Sequence, residues 1–210
     1  AIMAVPIWGQ ACDYSALEKI AQRHNLKLIF DSAHAFGCKS GDRYIGGFGD
    51  AEIFSLHATK FFSTGEGGAI TTNSDELAEK LKYMRNFGFG GYDKTVCLGT
   101  NAKMSEFAAA YGLSALDNLE NILTQNKSVY GKYLEIFKDS PEIKFLEYDD
   151  ANASNFHYIV ARVNSSHRDQ LVHSLHQNKV FVRKYFFPGC HRLEPYVSEE
   201  KYNLYSLLKT

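Results

Sequence analysis

The chain has 210 residues, 45% of them hydrophobic and 22% charged, and its formal net charge is -1. That is an ordinary globular composition, without the basic stripe of a nucleic-acid binder, an apolar run long enough to span a membrane, or a secretory signal at its start. The four cysteines, Cys12, Cys38, Cys97 and Cys190, form no C-x-x-C pair, which excludes a zinc ribbon or thioredoxin motif and points to reduced thiols in the cytoplasm.

Residues 1–8 read as a buried strand already under way, turning at Gly9-Gln10. The far end, Tyr202 to Thr210, stops inside an amphipathic segment, so the sequence is expected to be cut at both ends relative to a complete protein. Ser15 and Glu18 have capping-box spacing, and Leu17, Ile20 and Ala21 give helical periodicity up to His24. Leu26 to Phe30 is a short apolar strand that ends on Asp31. Strand, helix and strand in that order predict a parallel sheet with crossover helices.

Ser32 to Gly37 then connects, Ser40-Gly41-Asp42 turns, and Ala51 to Ser55 is the next strand. Lys60 follows in a loop that cannot stay helical through Gly65-Glu66-Gly67-Gly68, and Ala69 to Thr72 leaves it as another strand. Ligands of such sheets gather beyond the carboxyl ends of strands, so Asp31, His34, Ser55 and Lys60 are expected at one sheet edge.

A helix starts at Ser74-Asp75-Glu76, with its acidic residues favoured by the helix dipole and Leu77, Leu81 and Met84 on its apolar face. Residues 86–104, with Gly88, Gly90, Gly91 and Gly99, read as a loop. Helix resumes from Ser105 to about Gly112, and a long helical pattern through Leu116, Leu119, Ile122 and Leu123 runs to Phe137, before Pro141. Phe156 to Val163 alternates like a strand, Ser166 and Asp169 cap a helix through His176, and Val180 to Phe187 reads as a strand. The expected division is residues 1–118 as part of a large domain, 119–140 as a connecting helix and 141–210 as a smaller α+β domain. His173 and His176 sit three apart on a helix without further ligands, so no metal site is expected.

A lysine amine in a crowded, partly apolar site becomes a nucleophile and can form a Schiff base with an aldehyde. Pyridoxal phosphate makes the best use of such an amine. It also needs a carboxylate against its pyridine nitrogen, and hydroxyls with backbone N–H groups for its phosphate. Lys60, Asp31 and Ser55 supply these, with Ser63 and Thr64 as further hydroxyls. Each residue alone has a plainer reading: Asp31 as a turn cap, His34 as a packed histidine, Lys60 as surface charge. Only the set in this order points to chemistry.

DSAHAFG at 31–37, GDAEIFSLHATKFFSTGEGGAITT at 49–72, GTNAKMSEFAAAYGL at 99–113 and RKYFFPGCHRLEPY at 183–196 resemble the signature blocks of the DegT/StrS-type sugar aminotransferases. The resemblance implies an α/β, fold-type I pyridoxal phosphate enzyme, here an incomplete large domain with an open, mostly parallel sheet. By it, Lys60 falls on the Schiff-base lysine, Asp31 on the carboxylate facing the pyridine nitrogen and His34 on a position near the cofactor's phenolic oxygen. Ser55 falls on the phosphate-binding serine. Asn101 falls on an asparagine that reaches the neighbouring subunit's cofactor, which implies a homodimer with shared sites. His191 falls near the substrate.

The implied reaction moves an amino group from an amino acid, by analogy L-glutamate, to a keto sugar nucleotide. The variants LHATKFF and YFFPGCHRLEPY most resemble members that act on a dTDP-4-keto-6-deoxyhexose. The family's sugar dehydratases carry histidine in place of the lysine, and Lys60 argues against them. A non-catalytic member that keeps the fold is the remaining alternative, because the family's upstream phosphate-gripping helix and ring-stacking residue are not found before Ala1.

Overall fold

A computed structural model of the chain describes residues 1–148 and 152–198. In chain order its elements are strand β1 (Ile2–Ala4), helix α1 (Tyr14–Arg23), strands β2 (Leu28–Asp31), β3 (Lys39–Ser40), β4 (Arg43–Tyr44), β5 (Ala51–Ser55) and β6 (Gly68–Thr71), and helix α2 (Asp75–Met84). Strands β7 (Phe89–Gly91) and β8 (Lys94–Thr95), helices α3 (Glu106–Leu116) and α4 (Leu119–Ile136), strands β9 (Lys144–Phe145) and β10 (Ala161–Arg162) and helix α5 (Ser165–Gln177) follow. The chain packs as two compact units, one from Ala1 to Arg162 and one from Val163 onward.

The main sheet has the order β1-β2-β5-β6. β1, β2 and β5 are parallel, with Ala4 opposite Phe30 and Asp31 opposite Ile53. β6 is antiparallel to β5, with Ser55 opposite Gly68. The α/β architecture with an open, mostly parallel sheet is therefore as expected, and the lysine loop joins two neighbouring antiparallel strands. One face of the sheet carries Leu28, Phe30 and Phe54 into a core with Tyr14 and Ala21 of α1, and Ile122 and Leu123 of α4 pack against it. Tyr14 anchors that core, its ring 4.4 Å from Phe30 and 4.3 Å from Phe48.

Several expected boundaries move, each for a local reason. The first strand stops at Ala4, because Pro6 has no N–H to give and Trp8 turns left-handed with φ 59. The cap of α1 is Asp13 rather than Ser15: its carboxylate accepts the Ala16 N–H at 2.9 Å. β2 begins at Leu28 because the Leu26 N–H is still bonded to Ala21 O at the end of α1. α2 and α3 start where the sequence places them, capped by Ser74 and Ser105. The glycine-rich stretch 86–104 holds a small hairpin, β7 with β8, and a bridge from Asn86 to Asn101.

The expected strand 156–163 is reduced to Ala161–Arg162, paired antiparallel with Lys144–Phe145. Phe156 is left-handed (φ 50), and the carbonyls before it are taken elsewhere, Ala153 O by the Lys39 N–H at 2.9 Å and Asn155 O by the Asn126 side-chain amide at 3.2 Å. Asn164, not Ser166, caps α5, accepting the Ser166 N–H at 3.0 Å. The expected strand 180–187 does not form. Lys179 turns left-handed (φ 61), the Val180 N–H folds back to Leu175 O, and His176 Nε2 bonds Val182 O at 2.8 Å. The amphipathic segment read at Tyr202 to Thr210 lies outside the described residues.

Candidate active site

Asp31 and Ser55 end two adjacent parallel strands, β2 and β5, at the carboxyl edge of the sheet, with Asp31 opposite Ile53 and Ser55 two residues further along β5. His34 follows Asp31 by three residues, and Lys60 follows Ser55 by five. The side chains converge electrostatically. Burial holds the His34 imidazole below its ordinary pKa, the Lys60 ammonium lowers it further, and the Asp31 carboxylate pulls the other way. Lys60 and Asp31 are thus both within electrostatic reach of His34.

Lys60 is half-buried in a loop closed at its base. The Leu56 N–H bonds Gly67 O, and the Thr64 N–H bonds Leu56 O. Inside the loop the Lys60 N–H donates to His57 O at 2.9 Å and the Thr59 N–H donates to His57 Nδ1 at 3.1 Å. Phe61 and Phe62, directly after the lysine, are buried, and the Phe62 ring stacks on Phe36 at 4.4 Å. These aromatic anchors fix the loop to the core without using the amine.

Ser63 and Thr64 are engaged within the loop. Ser63 Oγ donates to Leu56 O and accepts the Gly65 N–H, and the buried Thr64 hydroxyl donates to Glu66 O at 2.9 Å. Among the described residues, Ser55 Oγ receives a single long bond, 3.4 Å, from the His57 N–H.

His34 is oriented from two sides. The Trp8 N–H donates to its Nδ1 at 3.2 Å, which places the imidazole proton on Nε2. The Tyr158 ring lies 4.6 Å away, centre to centre. Asp31 Oδ1 accepts the Ala33 N–H at 3.2 Å. Among the described residues, Lys60 Nζ, Asp31 Oδ2 and His34 Nε2 carry no hydrogen bond or ion pair. A primary amine, a carboxylate oxygen and an N–H donor, the first two within electrostatic reach of the third, are therefore available to a ligand.

Four further residues build the site, and the sequence reading missed their roles. The Glu52 carboxylate is fully buried in β5. It accepts the Gly46 and Phe48 N–H groups at 2.7 and 2.8 Å and the Ser32 hydroxyl at 2.8 Å, tying β5 to the residue after Asp31. Asn155, also fully buried, donates through Nδ2 to His34 O at 2.9 Å and Phe36 O at 3.1 Å. His157 Nε2 lies 3.0 Å from Thr59 O, and because a carbonyl can only accept, Nε2 carries the proton. Tyr158 packs on His34. The one signal for this strap was the polar pair Ser154-Asn155 at the head of a stretch that otherwise alternates like a strand.

Asn101 is exposed, bridged to Asn86, with its Oδ1 accepting from Lys103 Nζ at 2.6 Å; it has no bond to Asp31, His34 or Lys60. His191 lies in the second unit, in a short turn spanning Cys190–Arg192.

The chain is 38% identical over 201 residues to the dTDP-4-amino-4,6-dideoxy-D-glucose transaminase of Shigella dysenteriae, covering 94% of this chain and 55% of that protein. It is 35% identical over 147 residues to the UDP-4-amino-4,6-dideoxy-N-acetyl-beta-L-altrosamine transaminase of Helicobacter pylori, covering 67% of this chain and 39% of that one. Among solved structures, DesI in the presence of its TDP-sugar product superposes with a TM-score of 0.87 at 39% identity, over 95% of this chain and 52% of that chain. The chain thus spans about half the length of the relatives it matches. The profile of the DegT/DnrJ/EryC1/StrS aminotransferase family matches residues 1–210, and the chain belongs to that family.

Proposed function

We propose that the protein is a pyridoxal phosphate-dependent aminotransferase acting on a nucleotide-linked keto sugar, with Lys60 as the residue that holds the cofactor covalently. The observation that carries this reading is that Lys60 and Asp31 both lie within electrostatic reach of a neutral His34, and that among the described residues Lys60 Nζ, Asp31 Oδ2 and the His34 Nε2–H carry no hydrogen bond or ion pair. That donor set fits the cofactor group by group. The amine suits its aldehyde, the carboxylate its pyridinium nitrogen, and the imidazole N–H its phenolic oxygen. Ser55 Oγ, with a single long bond from the His57 N–H among the described residues, is the hydroxyl for the phosphate.

When bound, the cofactor supplies an electron sink that makes the donor's α proton removable. The chain's own residues do the rest. Asp31, as an opposite charge, keeps the ring nitrogen protonated. Lys60 Nζ would take the proton from the donor's α carbon as general base and would hold it for return as general acid. His34 stays in its neutral form, chiefly through burial, with its Nε2–H available to donate.

The keto substrate is assigned by likeness to a dTDP-4-keto-6-deoxyhexose and the donor to L-glutamate, with His191 on the substrate side. Asn101 would complete the site of a second copy in a homodimer, and the unpaired thiols suit a cytoplasmic enzyme. Titration of the natural polypeptide with pyridoxal phosphate should turn it yellow. Borohydride should then bleach it and leave the cofactor's mass on the peptide containing Lys60. Lys60→Ala should abolish the label and lower turnover at least about 100-fold. Label on another residue, or none, overturns the proposal.

A further inference from the structure

We propose that His157 is a positioning residue for Lys60, holding through the Thr59 carbonyl the peptide plane that aims the lysine. The proposal rests on the reading of Lys60 as the cofactor-holding residue. It comes from a segment nearly a hundred positions downstream of the loop it grips.

The peptide unit between Thr59 and Lys60 is planar and rigid, so its orientation fixes the direction in which Lys60 leaves the backbone. That unit is held at both poles. Its carbonyl accepts the His157 Nε2–H at 3.0 Å, and its N–H donates to His57 O at 2.9 Å. The second contact belongs to the loop itself, whereas the first ties this peptide unit to a segment outside the loop.

His157 is in turn held in place. Its backbone N–H donates to Asn155 Oδ1 at 3.2 Å, its ring meets Tyr158 edge-on at 4.9 Å, and Phe61 lies 6.3 Å away. Asn155 grips the carbonyls of His34 and Phe36 from the same strap. One short segment therefore sets the two connections that carry His34 and Lys60 against each other. His157 does not need to touch a substrate or the cofactor to do this.

The test compares His157→Phe, His157→Asn and His157→Gln. Phenylalanine keeps the ring and removes the donor. Asparagine keeps an amide too short to reach Thr59 O, while glutamine places its Nε2 near the position of the imidazole Nε2. The first readout is backbone hydrogen exchange of the cofactor-free protein. With H157F and H157N, the Thr59 and Lys60 amides should exchange about tenfold faster, the loss of one hydrogen bond, while the amides of β2 and β5 stay unchanged.

The second readout is the affinity for pyridoxal phosphate measured by absorbance, which should weaken about tenfold in H157F and H157N. H157Q should return both readouts to within about threefold of wild type. Unchanged loop exchange in H157F and H157N overturns the proposal. So does a loss that H157Q fails to restore, since that would reflect packing alone. Should the wild type show no borohydride label on Lys60, the functional reading falls, and the exchange data still decide whether His157 fixes the loop.

Discussion

Asn155 offers the sharpest test of how the site is held together. Truncation to alanine would leave three backbone groups without partners: the carbonyls of His34 and Phe36 and the N–H of His157. Each unpaired group costs about 1 to 3 kcal/mol. Because His34, Phe36 and His157 are only half-buried, water can recover part of this, and the low end applies, giving about 3 kcal/mol in total. That is a large share of the stability of an ordinary domain. Urea unfolding should show it as a lower midpoint at unchanged slope. Asn155→Asp is the stricter variant. It turns the donating amide into a carboxylate oxygen facing two carbonyl oxygens in a fully buried position, so it should cost at least as much as alanine. An aspartate variant within about 0.5 kcal/mol of wild type would refute the hydrogen-bond assignment.

Two other perturbations follow from the same geometry. His34 and His157 are both held below the ordinary histidine value of 6.5, chiefly by burial, so the unfolded chain binds protons more readily than the folded one in the window just below that value. Their contribution to stability is therefore whole above about pH 6.5 and is lost as the pH falls from there to their depressed values. Urea midpoints at pH 5.5 and 7.5 should show this, and H34Q with H157Q should flatten that part of the profile. Gly49 sits at φ +60, where an added Cβ would lie 2.6 Å from Leu28 O and 3.1 Å from the Phe30 ring. Gly49→Ala should lower stability by about 2 kcal/mol or more in thermal unfolding, because backbone strain and overpacking of the core act together.

The parts of the site that the sequence announces are those that follow a strand directly. Asp31, Ser55 and Lys60 sit at fixed short distances from apolar runs, and a parallel sheet brings such positions together whatever the rest of the chain does. The starts of α2 and α3 were legible at Ser74 and Ser105, which the structure shows to be their caps. The caps read at Ser15 and Ser166 are instead Asp13 and Asn164, each two residues upstream. Glu52 stayed hidden because it interrupts a strand that otherwise reads as apolar, and its partners are two backbone N–H groups and one hydroxyl. The strand read at 156–163 shrinks because alternation alone cannot reveal that, among the described residues, a partner strand reaches only Ala161–Arg162.

The strap that carries Asn155 and His157 shows why this last part resists a sequence reading. Its partners are main-chain carbonyls, those of His34, Phe36 and Thr59. Every residue type presents the same carbonyl, so nothing at positions 34, 36 or 59 needs to match anything at 155 or 157. The chemical demand falls on one side only: an amide that donates twice at 155 and a ring N–H at 157. The Lys60 loop can therefore present its amine freely. Its base is closed by Leu56, Thr64 and Gly67, its core anchors are Phe61 and Phe62, and its outer turn is held by a histidine that takes nothing from the lysine side chain.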